Sequence, residues 1–371
     1  MLYHAGYSGF LTHAPPSNKT NDTSTNYSEN MTLSDSDHGF WKGKSVLVTG
    51  ATGFLGGWLI RELLLRQARV VALIHRDKPG SQFFLTAQNE RVEIVRGSVW
   101  DRRLIETTID EHSIDVIFHT AMAGGDVTST LDVPVECFRS TAESTLWMLD
   151  ALRRQHPETI LIVSSSDKAY GQQSIPYTEL QALAPRHPQE VAKASQDLLA
   201  QSFGKIYGLK VAVTRCANYF GPFDFNFSRI VPYVARCAAE GTSPVLRSNG
   251  RFIRDFLHVQ ESAWAHLDLA ERVARDKGVQ GEAFNFSYGQ GRTVLELVHQ
   301  VLAIAGTDLA PEIQDTAQHE IPNMLLSSEK ARTILGWTPR ATFEESLQST
   351  VAWYLQHFAN QKDPSHQPTR G

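Results

Sequence analysis

The 371-residue chain is 42% hydrophobic and 20% charged, the balance of a globular protein with a sizeable core. A formal charge of −5 leaves no basic surplus to neutralise a phosphate backbone, which excludes nucleic acid as the expected partner. Three scattered cysteines (Cys137, Cys216, Cys237) with no CxxC pair argue against a disulfide framework or zinc site, and no apolar run approaches the roughly 20 residues that span a bilayer. A soluble, cytoplasmic protein is expected.

Residues 1–39 read as a disordered tail, because from Pro15 to Asp37 Ser, Thr, Asn and Asp dominate and almost nothing is available to bury. Asn-x-Ser/Thr triplets start at Asn18, Asn21, Asn26 and Asn30; a tract of this composition produces them by chance. The opening MLYHAGYSGFLTH lacks the cationic region and long apolar core of a signal peptide, and Met31 stands as an alternative start. After Phe40-Trp41, strands at Ser45–Thr49, Arg69–Ile74, 91–95, 115–119, 159–165 and 210–215 are apolar along most of their length, as buried parallel strands are. Helical stretches at 54–66, 101–111, 133–155 and 189–207 separate most of them. This alternation predicts an α/β fold, a doubly wound parallel sheet of the Rossmann type over 40–220. Beyond Gly221-Pro222 the pattern loosens into helices at 229–240, 260–275, 293–305, 327–335 and 343–358, with short β-like pieces near 251–257 and 283–286. A smaller C-terminal α/β substrate lobe over 221–358 and a flexible tail over 359–371 are expected.

The run Val48-Thr49-Gly50-Ala51-Thr52-Gly53-Phe54-Leu55-Gly56 places GxxGxxG between the first strand and the first helix. The first glycine permits a tight turn, the second lets backbone approach a pyrophosphate, and the third allows helix and strand to pack closely; the helix N-terminus offers its N–H groups to phosphate. Gly50, Thr52, Gly53, Phe54, Leu55 and Gly56 are therefore assigned to a dinucleotide. An acid at the end of the second strand would hold the ribose hydroxyls of NAD, but that position falls on Ile74, followed by His75-Arg76-Asp77. Arg76 suits the 2′-phosphate of NADP and Asp77 suits a ribose, so NAD and NADP both stay open.

Further motifs follow: His119-Thr120-Ala121 at the close of the fourth strand, Ser164-Ser165-Ser166-Asp167-Lys168-Ala169-Tyr170-Gly171, Arg215-Cys216-Ala217-Asn218-Tyr219-Phe220-Gly221-Pro222, and Arg254-Asp255-Phe256-Leu257-His258-Val259. With these the chain, over roughly 40 to 358, resembles the extended short-chain dehydrogenase/reductase family, specifically its nucleotide-sugar epimerases and 4,6-dehydratases. The opening Phe40-Trp41-Lys42-Gly43-Lys44, the Ser-Asp-Lys triplet and Asn226-Phe227-Ser228-Arg229-Ile230-Val231-Pro232 are most similar to CDP-glucose 4,6-dehydratase and its relatives. The resemblance implies a cofactor pocket completed by His75, Arg76, Ser98, Val99, Thr120, Ala121 and Lys193. It implies a nucleotide-sugar or nucleoside substrate held by Asn218, Asn226, Arg229, Arg254 and His258, with the Arg254 fork suited to a diphosphate. It also implies a homodimer through paired long helices, with Trp147-Met148 read as core or dimer face.

In that family a hydroxyl on the edge of the fifth strand works with a Tyr-x-x-x-Lys pair, whose spacing puts both on one helix face. The tyrosinate takes a sugar-hydroxyl proton while a hydride leaves the same carbon. Ser166 and Lys193 match the hydroxyl and the lysine, but Gln189 stands where the tyrosine belongs, and Thr141 replaces the asparagine usual in the helix after the fourth strand. A carboxamide cannot act as a base near neutral pH. Three readings of Gln189 remain: an enzyme with another base, such as Lys168 or a water held by Ser166; a deliberate substitution that traps substrate; or a catalytically silent nucleotide-binding relative with a scaffolding or regulatory role. For a dehydratase the resemblance implies that Asp167 protonates the hydroxyl leaving carbon 6 and that Lys168 assists at carbon 5. His75, His187 and His258 show no mutual metal spacing, so no metal is expected. Tyr170 and Tyr177 stand near enough in sequence to Ser166 to be rescue bases, though Tyr170 reads better as packing.

Overall fold

A computed structural model describes residues 39–124, 127–316 and 321–362. The expected tail of residues 1–39, with its Asn triplets, lies outside the described residues except for Gly39, as does the chain after Lys362. Seven parallel strands make the central sheet: β1 Ser45–Thr49, β2 Arg69–Ile74, β3 Glu93–Arg96, β4 Val116–His119, β5 Ile160–Ser164, β6 Val211–Cys216 and β7 Ala283–Phe286. Their order, β3-β2-β1-β4-β5-β6-β7, reverses between β1 and β4, the point at which ligands bind in doubly wound sheets.

Strand alternation assigns the core. Val46 and Val48 of β1 point to one face with Val70, Ala72 and Phe118, while Leu47 points to the other with Val71, Leu73 and Ile117. Helices α1 (Phe54–Leu65) and α6 (Val259–Arg275) cover the first face; α2 (Arg102–Glu111), α3 (134–155) and α4 (Pro188–Tyr207) cover the second. A separate cluster of Phe220, Val234, Leu246, Phe256, Val298, Phe343 and Tyr354 joins α5 (Ile230–Glu240), α7 (Val294–Ile304) and α8 (Phe343–Lys362).

Beyond small shifts of element ends, these details differ from the sequence reading. Ala283–Phe286, expected in the smaller lobe, is the seventh strand of the main sheet, paired along β6 from Val213 to Cys216. Asp115 is not in β4; its carboxylate accepts from Lys44 Nζ at 2.9 Å and from the Ser45 N–H at 2.8 Å. A single wide turn at Arg139–Glu143 interrupts α3, of the kind that often marks functional segments. Finally, α8 runs to Lys362, so residues 359–362, expected in the tail, are helical. Among the described residues no helix is long and apolar enough to cross a membrane, and no group of His, Cys, Asp or Glu side chains is placed to hold a metal.

Candidate active site

The glycine turn leaves β1 at Thr49. Gly50 adopts φ +69°, and a Cβ there would lie 2.9 Å from the Ala121 N–H nitrogen at the end of β4. A Cβ on Gly56 would lie 2.2 Å from the Gly50 carbonyl oxygen, so the helix seats directly on the turn. Thr120 Oγ1 donates to the Thr49 carbonyl at 2.7 Å and ties β4 to the same spot. Gly53 has no side chain to cap α1, and no acidic residue stands in its first turn, so the positive end of the helix faces outward uncompensated. These residues form a cradle of the shape and charge that suits a pyrophosphate.

At the end of β2, His75, Arg76 and Asp77 are exposed; Asp77 pairs with Arg96 at 2.8 Å. The His75 ring lies 5.7 Å from that of Trp100. Ser98 is half-buried and Val99 sits in the core beside Leu47 and Ile105. His119, the last residue of β4, is buried between Thr49 Oγ1 (2.8 Å) and Ser144 Oγ (3.0 Å), and burial pushes its pKa down to about 3. Thr141 turns its hydroxyl back to the Cys137 carbonyl of its own helix.

The second group gathers where β5 ends. Ser166 starts a tight helical turn over Asp167–Tyr170, and its Oγ donates to Asp167 Oδ1 at 2.8 Å. Lys168 Nζ reaches the same oxygen at 3.3 Å and Asn218 Oδ1 at 3.0 Å. Asp167 is only 1% exposed, and its Oδ2 has no hydrogen-bond partner among the described residues. This turn packs on α4, whose first turn His187 and Glu190 cap reciprocally, so His187 is a capping residue. From that turn the Gln189 side chain reaches Met122 Sδ at 3.5 Å, just beyond β4; its Oε1 is buried without a partner among the described residues. One turn on, Lys193 Nζ donates to the Ser164 carbonyl at 2.6 Å, and burial lowers its pKa to about 8. Two orphaned buried acceptors, Asp167 Oδ2 and Gln189 Oε1, fit a site built for a polar ligand.

Tyr170 and Tyr177 are not poised as bases. The Tyr170 hydroxyl donates to Asn285 Oδ1 and accepts from Arg215, both at 2.8 Å, with burial pushing its pKa up to about 12. Tyr177 donates to backbone carbonyls of Gly171 and Asn323. Arg215 in turn grips buried Asp197 of α4 with two hydrogen bonds of 2.8 and 2.9 Å. The chain Asp197–Arg215–Tyr170–Asn285 thus fastens the Asp167 turn to α4, β6 and β7. No local pattern announced it.

Each of the expected substrate residues has partners within the protein. Asn218 bridges Lys168 and the Asp255 carbonyl. Arg229 binds buried Asp224 at 3.0 Å and lies over the Phe54 ring. Asn226 organises the turn before α5 through its bonds to Ser228. Arg254 donates to the Ile253 and Pro322 carbonyls. His258 caps α6, accepting from the Gln260 N–H, and its ring is buried between Trp58 and Phe220. Trp147 is half-buried under Arg102, and Met148 is core.

Residues 46–286 match the profile of a family described as the NAD dependent epimerase/dehydratase family. The chain belongs to that family. Among curated members, it is 31% identical over 327 residues to dTDP-glucose 4,6-dehydratase of Streptomyces niveus, covering 85% of this chain and 94% of that protein. It is 29% identical over 332 residues to the enzyme of the same name from Xanthomonas campestris, covering 83% and 92%. Among solved structures, dTDP-glucose 4,6-dehydratase from Bacillus anthracis in complex with NAD superposes with a TM-score of 0.73, at 27% identity, over 85% of this chain and 97% of that one. UDP-glucose 4-epimerase from Thermotoga maritima with UDP-glucose gives 0.76, at 25% identity, over 84% and 99%. These NAD dependent epimerase/dehydratase relatives carry dTDP and UDP in their names, where the motifs themselves pointed toward the CDP-glucose branch.

Proposed function

We propose that this protein is an NAD(P)-dependent nucleotide-sugar dehydratase of the 4,6 type that oxidises a sugar hydroxyl transiently, with Gln189 in place of the tyrosine base. The observation that carries the reading is the Ser166-Asp167-Lys168 turn: a hydroxyl, a buried carboxylate and an ammonium, hydrogen-bonded together at the end of β5, the strand next to β4 at the switch point. A bound nicotinamide cofactor would accept a hydride from carbon 4 and return it to carbon 6. Gly50, Gly53, Gly56 and the α1 N-terminus would hold its pyrophosphate, Thr120 and Ala121 would flank it, and Lys193 would hold its ribose. Asp167 supplies the proton on which the carbon-6 hydroxyl leaves, since an alcohol departs far more readily as water. Asn226, Arg229 and Arg254, all within residues 221–358, would hold the diphosphate and sugar.

The test is direct. Wild-type protein incubated with NAD⁺ or NADP⁺ and dTDP-, UDP- or CDP-glucose is expected to form a 4-keto-6-deoxy sugar, lighter than its substrate by one water in mass spectrometry. No product with any pair would overturn the dehydratase and favour the silent relative.

A homodimer is proposed as well. Val135 and Phe138 at the start of α3, and Val191 and Leu198 on α4, form an exposed apolar strip, Val135 being 64% and Leu198 56% exposed. Leu198→Glu is expected to move the protein from dimer to monomer in analytical ultracentrifugation, with little change in melting temperature. A wild-type monomer at micromolar concentration would remove this part of the proposal.

A further inference from the structure

We infer that Asp167 is both base and acid: it draws a proton from the carbon-4 hydroxyl by relay through Ser166 and later gives a proton to the carbon-6 hydroxyl. The inference rests on the dehydratase reading above and supplies the base that reading lacks.

Elimination among the neighbours leads there. Gln189 has no basic lone pair near neutral pH. Tyr170 and Tyr177 are committed to Arg215, Asn285 and backbone carbonyls. Both lysines are donors: Lys193 to the Ser164 carbonyl, Lys168 to Asp167 and Asn218. Only Asp167 is an acceptor wired to the Ser166 hydroxyl, at 2.8 Å, and it is buried with Oδ2 unpartnered among the described residues. A carboxylate that accepts from a serine and an ammonium has no proton to give. To act as an acid it must first collect one, and the Ser166 hydrogen bond is the path by which it can.

The proton count closes. As the C4–H bond breaks and its electron pair leaves as hydride to the oxidised nicotinamide, the hydroxyl proton passes to Ser166 Oγ. The Ser166 proton moves to Asp167 Oδ1, leaving a carboxylic acid and a C4 ketone. Lys168, released from its pair with the now neutral Asp167, gives an ammonium proton to solvent water and, as the free amine, takes the C5 proton. The C6–O bond then breaks, the Asp167 proton departs with the oxygen as water, and a C5=C6 bond forms. Hydride reaches C6, Lys168 returns the C5 proton to C5 and takes one back from solvent, and Asp167 is again a carboxylate. For each proton taken from the carbon-4 hydroxyl, Asp167 delivers one into the departing water.

A 6-deoxy substrate isolates the first half, because it can be oxidised at carbon 4 but has no hydroxyl to lose. Wild-type protein loaded with cofactor and given dTDP-6-deoxyglucose (or its UDP or CDP form, matching the glucose nucleotide it dehydrates) is expected to develop the near-ultraviolet absorbance of reduced nicotinamide. In step with it, the infrared difference spectrum is expected to gain a carboxylic-acid carbonyl band. In Asp167→Asn both signals are expected to fall away, the rate dropping roughly 10²–10⁴-fold, and in Ser166→Ala the absorbance is expected to slow comparably. Unchanged thermal unfolding of both variants shows that they fold. If Asp167→Asn still reduces the nicotinamide at the wild-type rate, Asp167 is an acid only and the inference is overturned, while the dehydratase stands. If the wild-type protein dehydrates none of the three glucose nucleotides, the dehydratase reading itself fails, and this inference with it.

Discussion

Gly56→Ala is expected to abolish dinucleotide binding while the protein stays folded. The added methyl would stand 2.2 Å from the Gly50 carbonyl oxygen and 3.0 Å from Ala51 Cα, both backbone atoms that no rotamer change can move aside. The first turn of α1 must therefore lift from the glycine turn, and the N–H groups that would meet a pyrophosphate lose their aim. Overpacking of this kind costs about 1–3 kcal/mol of stability, which a core spread over both faces of the sheet absorbs. Affinity should suffer more, by at least about 100-fold, or roughly 2.7 kcal/mol. Titrating protein stripped of nucleotide with NAD⁺ and NADP⁺ by thermal shift measures both effects. Equal shifts for variant and wild type would show that the cofactor lies elsewhere.

Asp197→Asn is expected to be the most destabilising conservative change in the chain. Asp197 and Arg215 are almost fully buried, and the two hydrogen bonds between them discharge the guanidinium charge in a medium that otherwise penalises it. Removing one partner of such a pair costs about 3–5 kcal/mol, which for a protein of this size is a drop of roughly 10 °C in melting temperature. Because Arg215 also holds Tyr170, the turn that carries Asp167 should loosen, and turnover should fall as well. The double change Asp197→Leu with Arg215→Met removes both charges and is expected to recover part of the stability, though not the turnover. A single variant that melts within about 2 °C of wild type would show the pair to be dispensable.

Much of this was legible in the residues, for reasons that differ by element. β1 and β2 were read to their last residue because each is built on an apolar run, Val46–Val48 and Val70–Ile74, sealed on both faces. The start of α4 slipped by one, to Pro188, because the residue that caps it is His187, an uncommon N-cap. Ala283–Phe286 was placed in the wrong part of the molecule: four residues with a buried Asn285 carry little periodicity, and membership of the sheet is decided by pairing with β6, far upstream. At the site, the four-residue step from Gln189 to Lys193 and the Ser166-Asp167-Lys168 triplet stood out. Hydrogen bonds are another matter. That Ser166 points at Asp167, that Gln189 meets Met122, and that Tyr170 is locked to Arg215 and Asn285 depend on side-chain geometry across elements, which spacing does not encode.

The late arrival of β7 also governs how the polypeptide is made. A nascent chain that has left the ribosome only as far as residue 220 presents β6 with one bare edge, a row of N–H and C=O groups that any extended segment can join. Ala283–Phe286 covers that edge from within, and among the described residues no earlier strand does so. The first half is therefore not a self-sufficient nucleotide-binding module: a fragment stopping at residue 220 should be sticky and chaperone-dependent. Both halves should then melt together in one transition.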